Sequence, residues 1–138
     1  MNLKVALSKY ISKRIKGNLM NSGIPSQQDI PYGPEINQVL DWYNPFTQKG
    51  IGPKEPWPVV VYVHGGGLVG GSETEDIDPD SEPFKTFLEG GYAVAAIRYR
   101  LAPVGFGPSG PPPPIEGQAI YPDQGKDVGE AIQFLRSS

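Results

Sequence analysis

One histidine and no cysteine limit the chemistry that this 138-residue sequence can perform. Without cysteine there is no disulfide, no thiolate nucleophile and no cysteine-based zinc site. A Ser-His-Asp triad or a histidine-rich metal site would have to be built around the single histidine, His64. Because His64 is followed directly by Gly65, Gly66 and Gly67, the groups best placed to do chemistry are the backbone groups of a glycine run.

Three consecutive glycines let backbone N–H groups approach a ligand atom closely, since no side chain stands in the way. Two such N–H groups directed at one point stabilise a developing oxyanion, and one donor of this kind is worth about 3 to 4 kcal/mol. The simpler alternative is a tight turn after a strand, in which the glycines have no ligand at all.

The glycines also fit the dinucleotide-binding pattern G-x-G-x-x-G at Gly65, Gly67 and Gly70. That pattern needs a helix that begins in the loop and meets the phosphates, whereas six acidic residues follow here between positions 73 and 82. The related phosphate-loop pattern requires a lysine at the position of Gly71. Both nucleotide-binding interpretations are therefore weaker than an oxyanion site.

Runs of apolar, often β-branched residues predict the strands that hold this loop. Val59–Val63 is continuous rather than alternating, as expected of a strand buried on both faces. Tyr92–Ile97 is a second such run, and Ile36–Tyr43 predicts an earlier strand. Strands buried on both faces imply that helices cover both sides of the sheet.

Two helices are predicted to follow the glycine run. The first is short, with Asp80 or Ser81 as its cap and Gly90-Gly91 as its end. The second begins at Tyr121-Pro122. The order of helices and strands is typical of an α/β sandwich. The residues expected to form the buried stripe of the last helix are Val128, Ala131, Ile132 and Leu135.

The N-terminal region predicts a separate amphipathic helix over residues 2–20, with apolar residues every fourth position and lysines between them. We therefore divide the chain into an N-terminal helix segment, residues 1–25, and a main domain, residues 26–138. A targeting peptide or membrane-surface helix is the weaker alternative for this segment. No secretory signal is recognisable, so the default expectation is a cytoplasmic protein. The net charge of −3 argues against a nucleic-acid partner.

Two further segments suggest binding functions only weakly. Residues 103–114 are rich in proline and predict an exposed loop, with a ligand for an SH3-like partner as the lesser alternative. Asp76, Asp78 and Asp80 resemble the opening of a calcium loop, but Ser81 and Phe87 stand where glycine and glutamate are needed. We expect a solvated acidic loop here, and neither a metal nor another cofactor.

Several landmarks in order give the main domain a wider resemblance. Over residues 32–136 the sequence resembles the N-terminal part of α/β-hydrolase esterases of the hormone-sensitive-lipase and feruloyl-esterase-like groups. Arg98 stands where asparagine is common in that family. The matching stretches are Tyr32-Gly33, Leu40–Pro45, His64–Gly67, Gly70–Ser72, Gly91–Val94, Tyr99–Pro103, Tyr121-Pro122 and Asp127–Arg136.

The resemblance implies a fold and a set of roles. The fold would be the N-terminal part of an α/β-hydrolase sandwich, a mostly parallel sheet with flanking helices. Gly66 and Gly67 would donate N–H groups to the oxyanion of a small-molecule ester substrate. Gly65 would shape the turn, and His64 would support the loop rather than act as a base.

The catalytic triad of the family is not found in this sequence. No G-x-S-x-G occurs, and Ser109 lies in the proline-rich loop, where a nucleophile elbow cannot form. With His64 in the glycine loop no general base remains. We therefore expect a partial domain, truncated before the nucleophile strand and not catalytically competent alone. The alternative is a non-catalytic scaffold or interaction protein built on the truncated fold.

The family's strand order leads to one expectation about association. It would leave Val59–Val63 as a bare apolar edge of the sheet. Because such an edge pairs readily with another chain, we expect self-association through it.

Overall fold

The computed structural model describes residues 25–46, 55–74, 77–80, 82–105, 110 and 112–138. The predicted N-terminal helix, residues 2–20, and the candidate nucleophile Ser109 lie outside these residues. Within them the chain forms a small mixed α/β fold of four strands and two helices. In chain order these are β1 (Gln27–Pro31), β2 (Val39–Tyr43), β3 (Val59–Val63), α1 (Phe84–Glu89), β4 (Ala93–Arg98) and α2 (Asp123–Arg136).

The sheet has the strand order β1-β2-β4-β3. β1 pairs antiparallel with β2, and β2 pairs antiparallel with β4. Only β3 and β4 are parallel, so the prediction of a mostly parallel sheet is wrong for the described strands. The short link between β1 and β2 allows only a hairpin, whereas the longer link from β3 to β4 contains α1 and can cross over.

The position of β3 confirms one prediction and corrects another. β3 is the outermost strand of the described sheet, as expected of a bare edge. However, it is only half-buried, with Val59 39% and Val63 42% exposed. Val61 packs against one core cluster and Val60 and Tyr62 against the other, so both faces are covered, but less completely than expected. No described strand flanks β3 on its outer side. β4, which lies between β2 and β3, is the strand whose residues are almost all buried.

The helices cover opposite faces of the sheet, which confirms the predicted sandwich. Alternate residues of β4 point to the two sides, so Ala95 and Ile97 pack in one cluster and Val94 and Ala96 in the other. The first cluster includes Ala131 of α2, together with Tyr32 and Leu40. The second includes the buried side chains Phe84 and Leu88 of α1, together with Tyr43.

The first half of the sheet differs from the sequence prediction. β1 was not predicted, because its sequence QQDIP is polar and lacks strand periodicity. β2 was predicted to begin at Ile36, but Ile36 lies in the turn before it and is 67% exposed. The strand begins at Val39, where its pairing with Arg98 of β4 begins.

The helix boundaries were predicted better than their caps. α1 ends at Gly90 as expected, but its N-cap is Pro83 and makes no side-chain hydrogen bond, so Asp80 does not cap it. Ser81 lies outside the described residues. The buried face of α2 differs from the predicted stripe at one position, since Ile132 is 39% exposed. The buried residues of α2 are Gln124, Asp127 and Ala131, and Ile132 lies to one side of this face. No described helix is long and apolar enough to cross a membrane.

Candidate functional site

The glycine run follows β3 along the chain, ahead of α1, and lies beside the start of α2 in space. We use "glycine loop" for residues 64–71. It borders a groove of about 280 Å³ at the carboxyl ends of the parallel strands β3 and β4, which is where α/β sheets commonly bind ligands. The groove is lined by Val63, His64, Gly65, Gly67, Leu68, Tyr99, Gln124, Gly125 and Val128.

Gly66 has the most restricted backbone in the glycine loop. Its φ is +113°, and a Cβ at this position would lie 2.0 Å from the carbonyl oxygen of Gly70. The Gly66 carbonyl accepts hydrogen bonds from the N–H groups of Val69 (3.2 Å) and Gly70 (3.1 Å). Only glycine can adopt this positive φ without strain and leave the space beside the Gly70 carbonyl free, so this tight turn needs a glycine at position 66.

The N–H groups of Gly66 and Gly67 are available for a ligand. Both residues are exposed. Within the described part of the chain, neither N–H donates a hydrogen bond to another backbone or side-chain group. Of these two residues, Gly67 lines the groove, as does Gly65, whereas Gly66 does not.

His64 is a buried residue at the start of the glycine loop, with 3% of its surface exposed. Its Nδ1 lies 2.8 Å from the carbonyl oxygen of Gly65, and since a carbonyl only accepts, Nδ1 carries the proton. The imidazole stacks on Tyr99, with ring centroids 4.3 Å apart, and the Tyr99 hydroxyl donates to the His64 carbonyl over 3.1 Å. Burial raises the pKa of Tyr99, which keeps this donor protonated.

The Nε2 atom of His64 is buried and lacks a hydrogen-bond partner among the described residues. No described serine or threonine hydroxyl bonds to the imidazole, so the structure shows no nucleophile–base pair at this histidine. Gly71 closes over the ring, because a Cβ at Gly71 would lie 2.6 Å from Nδ1. These contacts fix the orientation of the His64 side chain at the start of the loop.

An ion pair between a half-buried arginine and a buried glutamate follows the glycine loop. The Arg98 guanidinium donates from Nε to Oε2 of Glu73 over 2.8 Å, and its Nη2 bonds to Oε1. Burial alone would raise the pKa of Glu73, but the hydrogen bonds and charge of Arg98 lower it below its ordinary value. Neither residue was singled out for a role at the site, because residues 25 positions apart leave no periodic signal.

Arg98 also lies next to a group of three carboxylates. Oxygen atoms of Asp29, Asp41 and Glu73 lie within 4.8 Å of one another. Nη2 of Arg98 lies 3.4 Å from Oδ1 of Asp29 and bonds to Glu73. The guanidinium therefore supplies the positive charge that a cation would supply to such a group.

A second ion pair fixes α2 against the sheet. Asp127 is fully buried, and its carboxylate accepts from Arg100 at the backbone N (3.0 Å), Nε (3.0 Å) and Nη2 (2.6 Å). Gln38 donates to the same carboxylate over 2.8 Å. Burial would raise the pKa of Asp127, but the hydrogen bonds from Arg100 and Gln38 lower it. This network sets the start of α2, which forms one wall of the groove.

Comparison with known proteins identifies the family. Residues 40–138, which include the glycine loop, both ion pairs and α2, match the family model BD-FAE, a hydrolase-like family related to feruloyl esterases. The chain belongs to the BD-FAE family. No curated protein matches the sequence. Membership of BD-FAE gives the domain hydrolase-like or esterase-like character, and it confirms the feruloyl-esterase part of the resemblance seen in the sequence.

Proposed function

We propose that the glycine loop is the oxyanion-binding loop of a carboxylic-ester hydrolase. Gly66 and Gly67 donate their N–H groups to the oxygen that becomes negative when the ester carbonyl is attacked. The observation that carries this proposal is that neither N–H has a partner among the described residues, and that Gly67 lines the groove. Membership of the BD-FAE family supports it, since that family is hydrolase-like.

The groove would take the acyl or alcohol part of a small ester. Val63, Leu68 and Val128 give it an apolar wall, and Gly65 and Gly67 bring the glycine loop to it. In the complete reaction a serine attacks the carbonyl, the alcohol leaves and an acyl-enzyme forms, and water then hydrolyses the acyl-enzyme to the acid and the free serine. The contribution of the glycine loop is to hold the oxyanion in both tetrahedral intermediates.

His64 is not the general base in this proposal. It is the single histidine of the chain, its Nδ1 proton is used by the Gly65 carbonyl, and its ring is stacked on Tyr99. A base that activates serine must be hydrogen-bonded to it. We infer that these 138 residues bind an oxyanion but do not by themselves turn over an ester by the serine–histidine route.

The experiment follows the amide signals of the isotope-labelled full chain by NMR while an alkylphosphonate, a tetrahedral anion, is added. We expect the Gly66 and Gly67 amide signals to move in a saturable way. Gly66→Ala should abolish the response. Gly129→Ala, a substitution in α2 with nothing within 4 Å of its Cβ, should retain it. If the Gly66 and Gly67 signals do not move, the oxyanion proposal is wrong.

Hydrolysis of p-nitrophenyl butyrate tests the second part of the proposal. The unsubstituted chain should show only the buffer rate. Turnover that disappears in a folded Gly66→Pro variant would show that a complete site exists in the chain. The absence of both anion binding and turnover would favour the alternative, a non-catalytic interaction protein on the same fold.

A further inference from the structure

The segment that follows β4 holds the glycine loop at successive points. Tyr99 donates its hydroxyl to the carbonyl of His64, at the start of the loop. The backbone N–H of Ala102 donates to the carbonyl of Leu68 over 2.7 Å, in the middle of the loop. The shape of the loop therefore depends on contacts with residues 98–102 as well as on its own glycines.

Arg98 provides the third point of attachment, just beyond the loop. Arg98 is the last residue of β4 and directly precedes Tyr99. Its guanidinium donates two hydrogen bonds to the Glu73 carboxylate. The Glu73 side chain is 1% exposed, whereas that of Arg98 is 33% exposed. Two consecutive residues, Arg98 and Tyr99, thus fix the two ends of one loop.

The charges around Glu73 make this attachment depend on Arg98. The Glu73 carboxylate lies near those of Asp29 and Asp41. Without the guanidinium, the buried Glu73 carboxylate would lie beside two other carboxylates. It would have no positive charge to balance it and would lose both hydrogen bonds from Arg98. Proteins avoid a buried, uncompensated charge of this kind. Glu73 would then take up a proton or leave its buried position, and in either case its two hydrogen bonds to β4 would be lost.

We propose that Arg98, acting through Glu73, is a positioning residue that sets the geometry of the oxyanion donors. The inference rests on the proposed function for the role of the donors, but not for the loop geometry. Arg98 itself touches no reacting group: it fixes Glu73, Glu73 fixes the end of the loop, and the turn at Gly66 keeps its shape as a result.

The test is amide hydrogen exchange in the full chain, read at Val69 and Gly70, whose N–H groups donate to the Gly66 carbonyl. In Arg98→Gln and in Glu73→Gln we expect these two amides to exchange at least tenfold faster. Arg98→Lys, which retains the charge but not the paired donors, should restore part of the protection. If exchange at Val69 and Gly70 is unchanged in Arg98→Gln, the proposal is wrong.

Arg100→Gln is the matched control. Arg100 also grips a buried carboxylate, that of Asp127, but this pair fixes α2 rather than the loop. Loss of the Arg100–Asp127 pair should lower the global stability of the domain. The ratio of the exchange rates of Val69 and Gly70 to those of the most protected amides should stay the same. Equal acceleration in the Arg98 and Arg100 variants would show a general structural effect and overturn the proposal.

A further measurement covers the case in which Arg98→Gln fails to fold. In the unsubstituted chain, acidification that protonates Glu73 should release Val69 and Gly70 before the β4 amides. Simultaneous release of all these amides would contradict the proposal. The phosphonate titration remains a separate outcome: a loop that loosens without Arg98 but never binds the anion supports the positioning role and rejects the oxyanion function.

Discussion

Replacing Gly66 with alanine tests the loop geometry most directly. Alanine would have to adopt φ near +113°, and its Cβ would meet the Gly70 carbonyl oxygen at 2.0 Å. The conformation alone costs about 1 to 3 kcal/mol. Because the obstacle is backbone, the turn must also open, with the loss of about 1 kcal/mol for the bond between Gly70 N–H and the Gly66 carbonyl.

The expected total for Gly66→Ala is about 3 kcal/mol, a large part of the roughly 5 to 15 kcal/mol that holds a domain folded. For a chain of this size we expect a fall in melting temperature on the order of 10 °C. Urea unfolding, followed by far-ultraviolet circular dichroism, measures the change in free energy directly.

Gly65→Ala is the matched control for this change. A Cβ at Gly65 has no heavy atom within 4 Å, and the φ of Gly65 is not in the left-handed region. Its free energy of unfolding should therefore stay within about 0.5 kcal/mol of the unsubstituted chain. Equal stability of the Gly65 and Gly66 variants would refute the turn described for the glycine loop.

Three more substitutions give separate tests. Asp127→Ala leaves the Arg100 guanidinium without its carboxylate partner and should lower the free energy of unfolding in urea by about 3 kcal/mol. A loss below about 1 kcal/mol would contradict the network. Burial raises the pKa of Asp41 above its unfolded value, so the folded state loses stability as pH rises above about 4. Asp41→Asn should therefore gain stability over the unsubstituted chain from pH 4 to 7, and a constant difference would argue against this cause. Val59→Lys, at the exposed edge of β3, should reduce self-association in sedimentation velocity, whereas Ile115→Lys, at an exposed loop position, should not; a monomeric unsubstituted chain would reject edge pairing.

Local patterns in the sequence predicted some elements well and others poorly. The strand Val59–Val63 was predicted to the residue, because five apolar residues between prolines and glycines allow little else. β1 was missed, since its polar residues form a strand only through pairing with β2. Whether each pair of strands is parallel or antiparallel could not be predicted either. The direction depends on which strands become neighbours in the sheet, and no single strand sequence contains that information.

The candidate site shows the same division. His64–Gly67 could be found from the sequence because their chemistry depends on residue types that are adjacent in the chain. The Arg98–Glu73 pair could not, because each residue alone is typical of an exposed surface. The burial that makes the pair important arises only when β4 and the end of the glycine loop come together.

The attachment of the glycine loop to β4 has a consequence for the order of folding. The contacts that hold the loop join residues 25 and 35 positions apart. Closing such long loops costs entropy, and pairing of β3 with β4, for example Val59 with Ala93, already brings together segments that are equally far apart in the chain. We therefore expect the loop to reach its final shape after β4 has paired with β3, when its contacts add little further entropic cost. Gly66→Ala should consequently accelerate unfolding and leave the refolding rate nearly unchanged, as expected for interactions that form after the rate-limiting step.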